Sequence, residues 1–342
     1  MPFFAPEDCH KVWFEKVSPS LAYKSGEDFA KWQQKAKAKL TELLGDQPQP
    51  VPLNVRVEWE EDRDFYREIR FLFTAEEGAD VPCHLLVPKS GEGPYPVVIC
   101  LQGHSTGMHI SLGRPKYPGD EESIAGDRDF AVQAVKQGYA ALALEQRCFG
   151  ERMDQRPETA KGVTKIRRCF HGSLNALILG RTMVGERVWD VSRAIDALAE
   201  FPQVDLERIG CMGNSGGGTI TFYAACMEQR IKIAMPSCSF CTYKDSIGSV
   251  DHCEDQYIPG VLKYFEMGDL AGLIAPRPFV VVTGAQDPIF PLAGVKQAFA
   301  AAEALYKAAG AEDKIKLVVG PEGHRFYAQQ AWPVFRELSG WF

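Results

Sequence analysis

Residues 209–218, IGCMGNSGGG, decide the fold of this chain. An apolar run that predicts a strand ends here in the pattern Gly213-x-Ser215-x-Gly217, and a helical pattern begins at once. A serine in such a strand-to-helix turn is strained, and small neighbours let the strand and helix approach each other. The turn sets Ser215 at a helix N-terminus, where the amide of Gly216 is unpaired and the helix dipole favours negative charge. The sequence therefore predicts Ser215 as a nucleophile and the Gly216 N–H as a donor to an oxyanion, with a glycine-rich turn and a capping serine as the alternative.

Asp287 and His324, both later in the chain, complete the chemistry that a nucleophilic serine needs. A serine hydroxyl requires a base within hydrogen-bonding distance and a third group that orients the base. Asp287 follows the apolar run 279–283, and His324 follows the run 315–319. Alone, Asp287 also suits an Asx turn and His324 an ordinary loop. Together, each after a predicted parallel strand, they predict a Ser-His-Asp triad at the carboxyl edge of a sheet.

The loop that follows the first buried strand reads Gln102-Gly103-His104. We predict that the backbone N–H of His104 is the second oxyanion donor, because this loop supplies that donor where a serine sits in such a turn. A plain glycine turn, with the imidazole only lining the cleft, is the alternative. Gln102 in this loop, and His252 and Tyr257 in a later segment expected to cover the crevice, are candidate substrate contacts.

Five apolar runs after residue 94 show no polar face, and a sixth run, 315–319, follows them. Strands that are buried on both faces lose the alternation of polar and apolar residues and belong to parallel sheets covered by helices. Helical patterns separate these runs, so the sequence predicts an α/β fold with a mostly parallel central sheet flanked by helices. The predicted strands are 96–101, 139–144, 208–212, 231–235, 279–283 and 315–319, and the predicted helices are 128–137, 184–199, 216–228, 292–309 and 326–338.

The N-terminal part has a different pattern. Residues 25–45 predict an amphipathic helix that is capped by Ser25. Short runs with β-branched and aromatic residues then predict antiparallel strands at 55–59, 69–73 and 84–87. We expect an N-terminal extension of helix and antiparallel strands over residues 1–80, packed on a catalytic domain over residues 81–342. The stretch 151–180 is mixed in charge with little periodicity, and it predicts an insertion over one end of the sheet.

Composition limits the classes of function. The 342 residues are 45% hydrophobic and 24% charged, which is ordinary for a globular protein and excludes disorder and collagen-like repeats. With 38 Lys and Arg against 45 Asp and Glu, the net charge is −7, the wrong sign for a nucleic-acid partner. A basic leader and an apolar run of membrane-spanning length are both missing, so we expect a cytoplasmic protein without a membrane partner. Its oligomeric state, including a homo-oligomer, stays open.

The ten cysteines and the glycine patterns predict neither a metal nor a cofactor. Several cysteines stand in apolar runs, where a thiol behaves as a small hydrophobe. Cys238-x-x-Cys241 with His252-Cys253 has the residue types of a zinc site. A zinc site of this kind needs a second pair of ligands with matching spacing, and the sequence has only one Cys-x-x-Cys pair. We therefore expect the thiols to be buried and inert, and the segment to form a loop that contacts substrate. The glycine fingerprints of phosphate and dinucleotide sites are absent.

The chain resembles the α/β-hydrolase superfamily over about residues 80–342, and within it the dienelactone-hydrolase-like enzymes and the acetyl xylan esterases or cephalosporin C deacetylases. The resemblance rests on the three triad loops, on the Gln102-Gly103-His104 loop, and on two further stretches. Residues 145–151, EQRCFGE, are similar to the D-x-R-G-x-G-E/Q stretch of such esterases, with Glu145 in place of Asp, and residues 187–196 read RVWDVSRAID.

The sequence differs from these families at two positions, and the differences narrow the class of enzyme that we expect. Ser215 stands where dienelactone hydrolases typically have a cysteine, and Gly216 stands where the deacetylases usually have a glutamine. The resemblance implies a serine carboxylesterase that works through an acyl-enzyme, without a metal, on acetylated carbohydrate or other small acyl esters. Arg147 and Asp190, which fall in the two further stretches, are expected to form a structural ion pair.

Other functions on the same fold remain as alternatives. They are a dienelactone-hydrolase-like lactonase, a prolyl-peptidase-like amide hydrolase, a zinc-dependent hydrolase and a catalytically inactive binding protein. Prolyl peptidases usually carry a long N-terminal propeller, which about 80 residues cannot form. An intact set of Ser215, Asp287 and His324 argues against an inactive protein.

Overall fold

A nine-stranded sheet forms the centre of the fold in the computed structural model, which describes residues 4–153 and 169–342. The strands are β1 (Arg56–Asp62), β2 (Tyr66–Glu76), β3 (Ala79–Pro88), β4 (Tyr95–Leu101), β5 (Ala140–Leu144), β6 (Val204–Asn214), β7 (Ile231–Ser237), β8 (Phe279–Gly284) and β9 (Ile315–Gly320). Their order across the sheet is β1-β2-β3-β5-β4-β6-β7-β8-β9. The first three strands are antiparallel, and β4 to β9 are parallel to one another. The predicted α/β class with a mostly parallel sheet is confirmed.

Helices cover both faces of the central parallel strands, which is why these strands lack a polar face, whereas the edge strand β9 exposes Lys316 and Val319. The helices among the described residues are α1 (Pro6–Lys16), α2 (Phe29–Leu44), α3 (Asp120–Ser123), α4 (Phe130–Lys136), α5 (Phe170–Ile178), α6 (Met183–Leu198), α7 (Gly216–Met227), α8 (Met267–Leu270), α9 (Leu292–Ala308) and α10 (Ala328–Ser339). Helices α2, α6, α7 and α9 share one apolar core with the sheet, and α4 and α10 share another. Along β4, Val97 and Ile99 enter the first core, whereas Val98 and Cys100 enter the second.

The predicted N-terminal extension contributes to this same sheet and core. Strands β1 to β3 extend the sheet at one edge, and α2 buries Trp32, Ala36, Leu40 and Leu44 in the core that covers the parallel strands. The predicted cap of this helix is wrong. Gly26 has a φ of 91°, so the helix cannot run through it, and the carboxylate of Asp28 accepts the amide of Lys31 at 3.1 Å instead.

Four of the helices were not predicted, and the two longest of them, α1 and α5, were missed for physical reasons. Helix α1 buries none of its residues, so it leaves no apolar periodicity in the sequence. Helix α5 lies within the predicted insertion 151–180 and exposes several apolar side chains, so its pattern also reads as irregular. Residues 154–168 of that predicted insertion lie outside the described residues.

The helices of the described residues are short or polar relative to the apolar interior of a membrane. Not one of them combines the length and the apolar character needed to cross a bilayer.

Candidate active site

The strained turn predicted at Ser215 is present between β6 and α7. Its backbone has a φ of 57° and a ψ of −127°, a conformation that residues with side chains rarely adopt and that clusters at functional sites. Glycines make the turn possible. A Cβ at Gly213 would lie 2.6 Å from the backbone of Gly217, and a Cβ at Gly217 would overlap the carbonyl of Leu101. The amide of Ser215 donates to the Ser237 carbonyl at 2.8 Å, which fixes the serine at the carboxyl end of β7.

Asp287 and His324 are brought together at the carboxyl ends of β8 and β9. The His324 Nδ1 lies 2.8 Å from Asp287 Oδ2. The other carboxylate oxygen accepts the amides of Ile289 and Phe290 at 2.9 and 3.1 Å. Burial would raise the pKa of Asp287, but the contact with His324 and the two amides outweigh burial and lower it. An ionised Asp287 holds the Nδ1–H of the imidazole, which leaves Nε2 as a proton acceptor.

The serine and the histidine face the same edge of the sheet without a direct bond. Among the described residues, no hydrogen bond joins the Ser215 hydroxyl to His324. Strands β7 and β8 lie between β6, which precedes Ser215, and β9, which precedes His324. The thiol of Cys238, which follows β7, lies within 4.8 Å of ligand atoms of both Asp287 and His324. In enzymes without substrate, catalytic hydrogen bonds are often long and shorten only in the complex.

The loop after β4 lies directly against the serine. A Cβ at Gly103 would lie 2.6 Å from the Asn214 carbonyl and 2.8 Å from the Cβ of Ser215, so only glycine fits. The Gln102 side chain is 2% exposed and donates to the Ser111 hydroxyl and the Arg128 carbonyl, each at 2.7 Å. Gln102 therefore holds the loop in place through contacts inside the protein.

The imidazole of His104 belongs to a buried charged group that sequence reasoning missed. Its Nε2 lies 3.0 Å from Asp255 Oδ2, which also accepts from Arg187 Nη1 at 2.6 Å. Burial alone would lower the pKa of His104, but the charge of Asp255 outweighs burial and raises it to about 9. Arg187 begins the stretch 187–196 that resembles the family. No spacing in the sequence reveals that it contacts Asp255, which lies 68 positions away.

A groove of about 1090 Å³ runs between α1 and residues 243–263. Trp13 and Tyr257 line it, and so does Gln256, whose amide nitrogen lies 3.3 Å from where a Cβ on Gly216 would stand. Gln256 therefore joins the wall of the groove to the turn that carries Ser215. Tyr257 is 44% exposed, and its hydroxyl donates to the Ile247 carbonyl at 3.1 Å.

His252 lies between the groove wall and the histidine of the predicted triad. Its Nε2 lies 3.0 Å from the Ser246 hydroxyl, and its ring centroid lies 5.2 Å from that of Phe290. The Phe290 ring in turn stacks on His324, with centroids 6.0 Å apart. Burial lowers the pKa of His252, although a hydrogen bond with the backbone of Ile289 opposes the shift.

The Cys-x-x-Cys motif does not form a site of its own among the described residues. Cys238 lies beside Asp287 and His324, whereas the Cys241 thiol points to the Pro291 carbonyl at 3.8 Å. His252 binds Ser246, and Cys253 joins a different group of side chains, which contains His104, Cys169 and Asp255.

Charged side chains behind the site form a structural network. Arg147 donates to both oxygens of Asp190, at 2.9 and 2.8 Å, and Arg152 adds a bond of 2.7 Å. Asp190 is 1% exposed, so the pair is a structural one, as expected. Glu145 accepts the amides of Met108 and Glu151 and so anchors the far end of the loop after β4.

Comparisons with known proteins agree with this architecture. The chain matches the acetyl xylan esterase (AXE1) family over residues 22–271. It is 27% identical over 308 residues to the Bacillus subtilis (strain 168) protein "Putative hydrolase YtaP", and the match covers 89% of this chain and 98% of that protein.

Two solved structures share the fold. A "putative acetyl xylan esterase" from Bacteroides fragilis superposes with a TM-score of 0.75 at 17% identity, covering 98% of this chain and 96% of that one. A glucuronoyl esterase from Solibacter usitatus superposes with a TM-score of 0.71 at 17% identity, covering 96% and 100%. The family match spans most of the chain and confirms the predicted resemblance: the protein belongs to the acetyl xylan esterase (AXE1) family, and it is a carboxylic ester hydrolase with the α/β-hydrolase fold.

Proposed function

We propose that this protein is a serine esterase that removes acetyl groups from carbohydrate esters through Ser215, His324 and Asp287. One observation carries the proposal: the strained Ser215 and the bonded His324–Asp287 pair stand at the same carboxyl edge of the sheet. The family match supports the ester substrate, and the activity for which the family is named supports acetylated carbohydrate.

The reaction proceeds in two acyl transfers. His324 Nε2 takes the hydroxyl proton of Ser215 as its oxygen attacks the ester carbonyl, and Asp287 stabilises the imidazolium that forms. The N–H groups of His104 and Gly216 hold the oxyanion. His324 then returns the proton to the departing alcohol oxygen, which leaves an acetyl-enzyme. A water molecule, deprotonated by His324, attacks the acetyl group, and Ser215 departs with that proton to release acetate.

The groove between α1 and residues 243–263 is the proposed binding site for the carbohydrate. Its volume of about 1090 Å³ suits several sugar rings better than a bare acetyl group. Trp13 and Tyr257 offer aromatic surface on which sugar rings can pack, and both are exposed in the groove. We propose that Tyr257 and His252 contact the substrate, and that Gln102 positions the loop after β4, which carries the backbone N–H of His104.

We further propose that the protein works in the cytoplasm. All ten cysteines are free, and eight of them are buried. Cytosolic reductants maintain thiols in this state, whereas oxidising compartments favour disulfides.

Replacement of the nucleophile tests the proposed function. Ser215→Ala should lower kcat on acetylated xylo-oligosaccharides and on p-nitrophenyl acetate by roughly 10³-fold or more, because the triad residues act as a unit. Ser339→Ala, on the surface of α10, is the control and should keep the wild-type rate. A fluorophosphonate probe should label the wild type and the control but not Ser215→Ala.

Parallel substrates separate the competing activities. The wild type should hydrolyse the acetyl esters faster than a lactone and faster than an aminoacyl anilide. Wild-type turnover by Ser215→Ala would refute the nucleophile, and a preference for the lactone or the anilide would refute the substrate class.

A further inference from the structure

Four potential metal ligands from three separate segments meet beside the loop that follows β4. They are His104, Cys169, Cys253 and Asp255, and one ligand atom of each lies within 4.8 Å of all the others. We propose that these four side chains bind one divalent transition-metal ion, for which zinc is the best chemical match. This set is distinct from the Cys-x-x-Cys motif of the sequence, with which it shares only Cys253 of the adjoining His-Cys pair.

The donor atoms fit zinc. Two thiolates, one imidazole nitrogen and one carboxylate oxygen form a set that zinc binds with tetrahedral geometry. Bonds of about 2.3 Å to sulfur and about 2.0 Å to nitrogen place ligand atoms roughly 3.3 to 3.8 Å apart in a tetrahedron. The observed limit of 4.8 Å leaves about 1 Å for side-chain rotation to close around an ion.

Two of the four ligands are buried inside the protein, whereas His104 is exposed on one side and Cys253 is partly buried. Asp255 is 1% exposed and Cys169 is fully buried. Cys148, Phe149 and Met183 pack around Cys169 and Cys253 in a small apolar cluster. These apolar neighbours limit the access of water to the two thiols and favour their coordination to a metal. The four ligands occupy every position of a tetrahedron, so the ion would hold the structure together rather than activate water.

The charge next to the four ligands also balances when an ion is bound. Arg187 is 1% exposed, and its Nη1 and Nη2 lie 2.6 Å from Asp255 Oδ2 and 3.6 Å from the Cys169 sulfur. Two thiolates, one carboxylate, a dication, the guanidinium and a neutral imidazole sum to zero. Buried charges persist when they are paired in this way.

The ion would position the loop that faces Ser215. His104 Nε2 is the ring atom nearest Asp255, and it is the atom that would bind the metal. Coordination through that atom fixes the residue whose backbone N–H is the proposed second oxyanion donor. The effect on catalysis rests on the proposed function, whereas metal binding itself does not.

Metal content and a cobalt spectrum test the site on the full chain. Protein purified with reductant, stripped with a chelator, incubated with Zn²⁺ and desalted should hold about one zinc per chain. Loaded with Co²⁺, it should show thiolate-to-cobalt charge-transfer absorption in the near ultraviolet. Cys253→Ser and Cys169→Ser should each weaken zinc binding by roughly 100-fold or more and abolish that absorption. Cys241→Ser, which removes a buried thiol outside the group, should keep both.

Clear outcomes would overturn the proposal. One is wild-type protein that retains no zinc above the level of a metal-free control; another is Cys241→Ser losing zinc as fully as Cys253→Ser. A Cys169–Cys253 disulfide, found by non-reducing peptide mass spectrometry without zinc uptake after reduction, would also refute it. Should the serine variants fail to fold, zinc protection of two thiols from alkylation in the wild type gives the same answer. A loss of metal with unchanged esterase rate would keep the site and remove only its role at His104.

Discussion

Asp287 contributes to the proposed reaction only through the ring of His324, to which its Oδ2 is bonded at 2.8 Å. Asp287→Asn presents an amide to Nδ1 and favours the tautomer with a proton on Nε2, which cannot accept the Ser215 proton. We expect kcat to fall by about 10⁴-fold. Steady-state kinetics on p-nitrophenyl acetate measure this fall in kcat. The variant Asp313→Asn, at an exposed carboxylate, is the control. Retention of more than a tenth of the wild-type kcat would contradict the role of Asp287.

Glu145 gives a residue-level prediction about stability rather than rate. Burial raises its pKa from 4.5 to about 7, although the amides of Met108 and Glu151 and the charge of Arg152 oppose the shift. The charge of Glu151 raises it further. The folded state therefore binds a proton that the unfolded state has already released between these pH values. The stability that this proton gives is complete below pH 4.5 and is lost as the pH rises through about 7, on the order of 3 kcal/mol.

Glu145→Gln removes this titration, so the free energy of unfolding should depend less on pH than in the wild type. Urea unfolding at several pH values between about 5 and 8 measures the slope. Glu312→Gln, at an exposed carboxylate, is the control and should keep the wild-type slope. An unchanged slope in Glu145→Gln would show that the carboxylate is ionised throughout this range.

At the scale of elements, α1 forms one wall of the groove although it buries no residue of its own. The Phe14 ring packs on Gly248, where any Cβ would overlap it, and Glu15 pairs with Lys244. These contacts attach the helix to residues 243–263. Trp13, 67% exposed, is thereby presented to the groove.

Trp13→Ala should therefore weaken the binding of long substrates. Loss of aromatic surface against a sugar ring costs about 1 kcal/mol, so KM for acetylated xylo-oligosaccharides should rise roughly fivefold. The kinetics on p-nitrophenyl acetate should stay within about twofold, because that ester does not span the groove. Val12→Ala, on the same helix but outside the groove, should leave both substrates unchanged. An equal loss on both esters would contradict a carbohydrate site at α1.

At the scale of the whole molecule, one buried carboxylate joins distant parts of the chain. Asp190 on α6 binds Arg147 and Arg152 from the segment after β5, and Arg147 also pairs with Glu76 of β2. Burial would raise the pKa of Asp190, but the two guanidinium groups outweigh burial and lower it, so the group is charged in the fold. Removal of that charge leaves two cations facing each other in a desolvated place.

Asp190→Asn should lower the free energy of unfolding by about 3 kcal/mol or more. Urea unfolding followed by fluorescence measures the change. Asp196→Asn removes a half-exposed partner on the same helix and should cost no more than about 1 kcal/mol. If the two variants are equally stable, the network does not join the elements as described.

Much of the fold was predictable because its signals are local. The runs that became the central parallel strands β4, β5, β7 and β8 lack a polar face since helices cover both sides, and this lack is visible in the sequence itself. The Ser215 turn is equally local, because Gly213 and Gly217 are required by contacts within a few residues of the serine. By contrast, α1 and α5 were missed because neither buries a continuous apolar face.

The sequence by itself determined the α/β class, the place of Ser215 and the pairing partners Asp287 and His324, since each follows from spacing along a strand and the loop after it. Only the tertiary structure decided that His104 meets Asp255 and Arg187, that Cys169 joins Cys253, and that α1 lines the groove. The physical reason is that these contacts join segments far apart in the chain. Loop closure and packing bring them together, and neither leaves a periodic pattern in the amino acids.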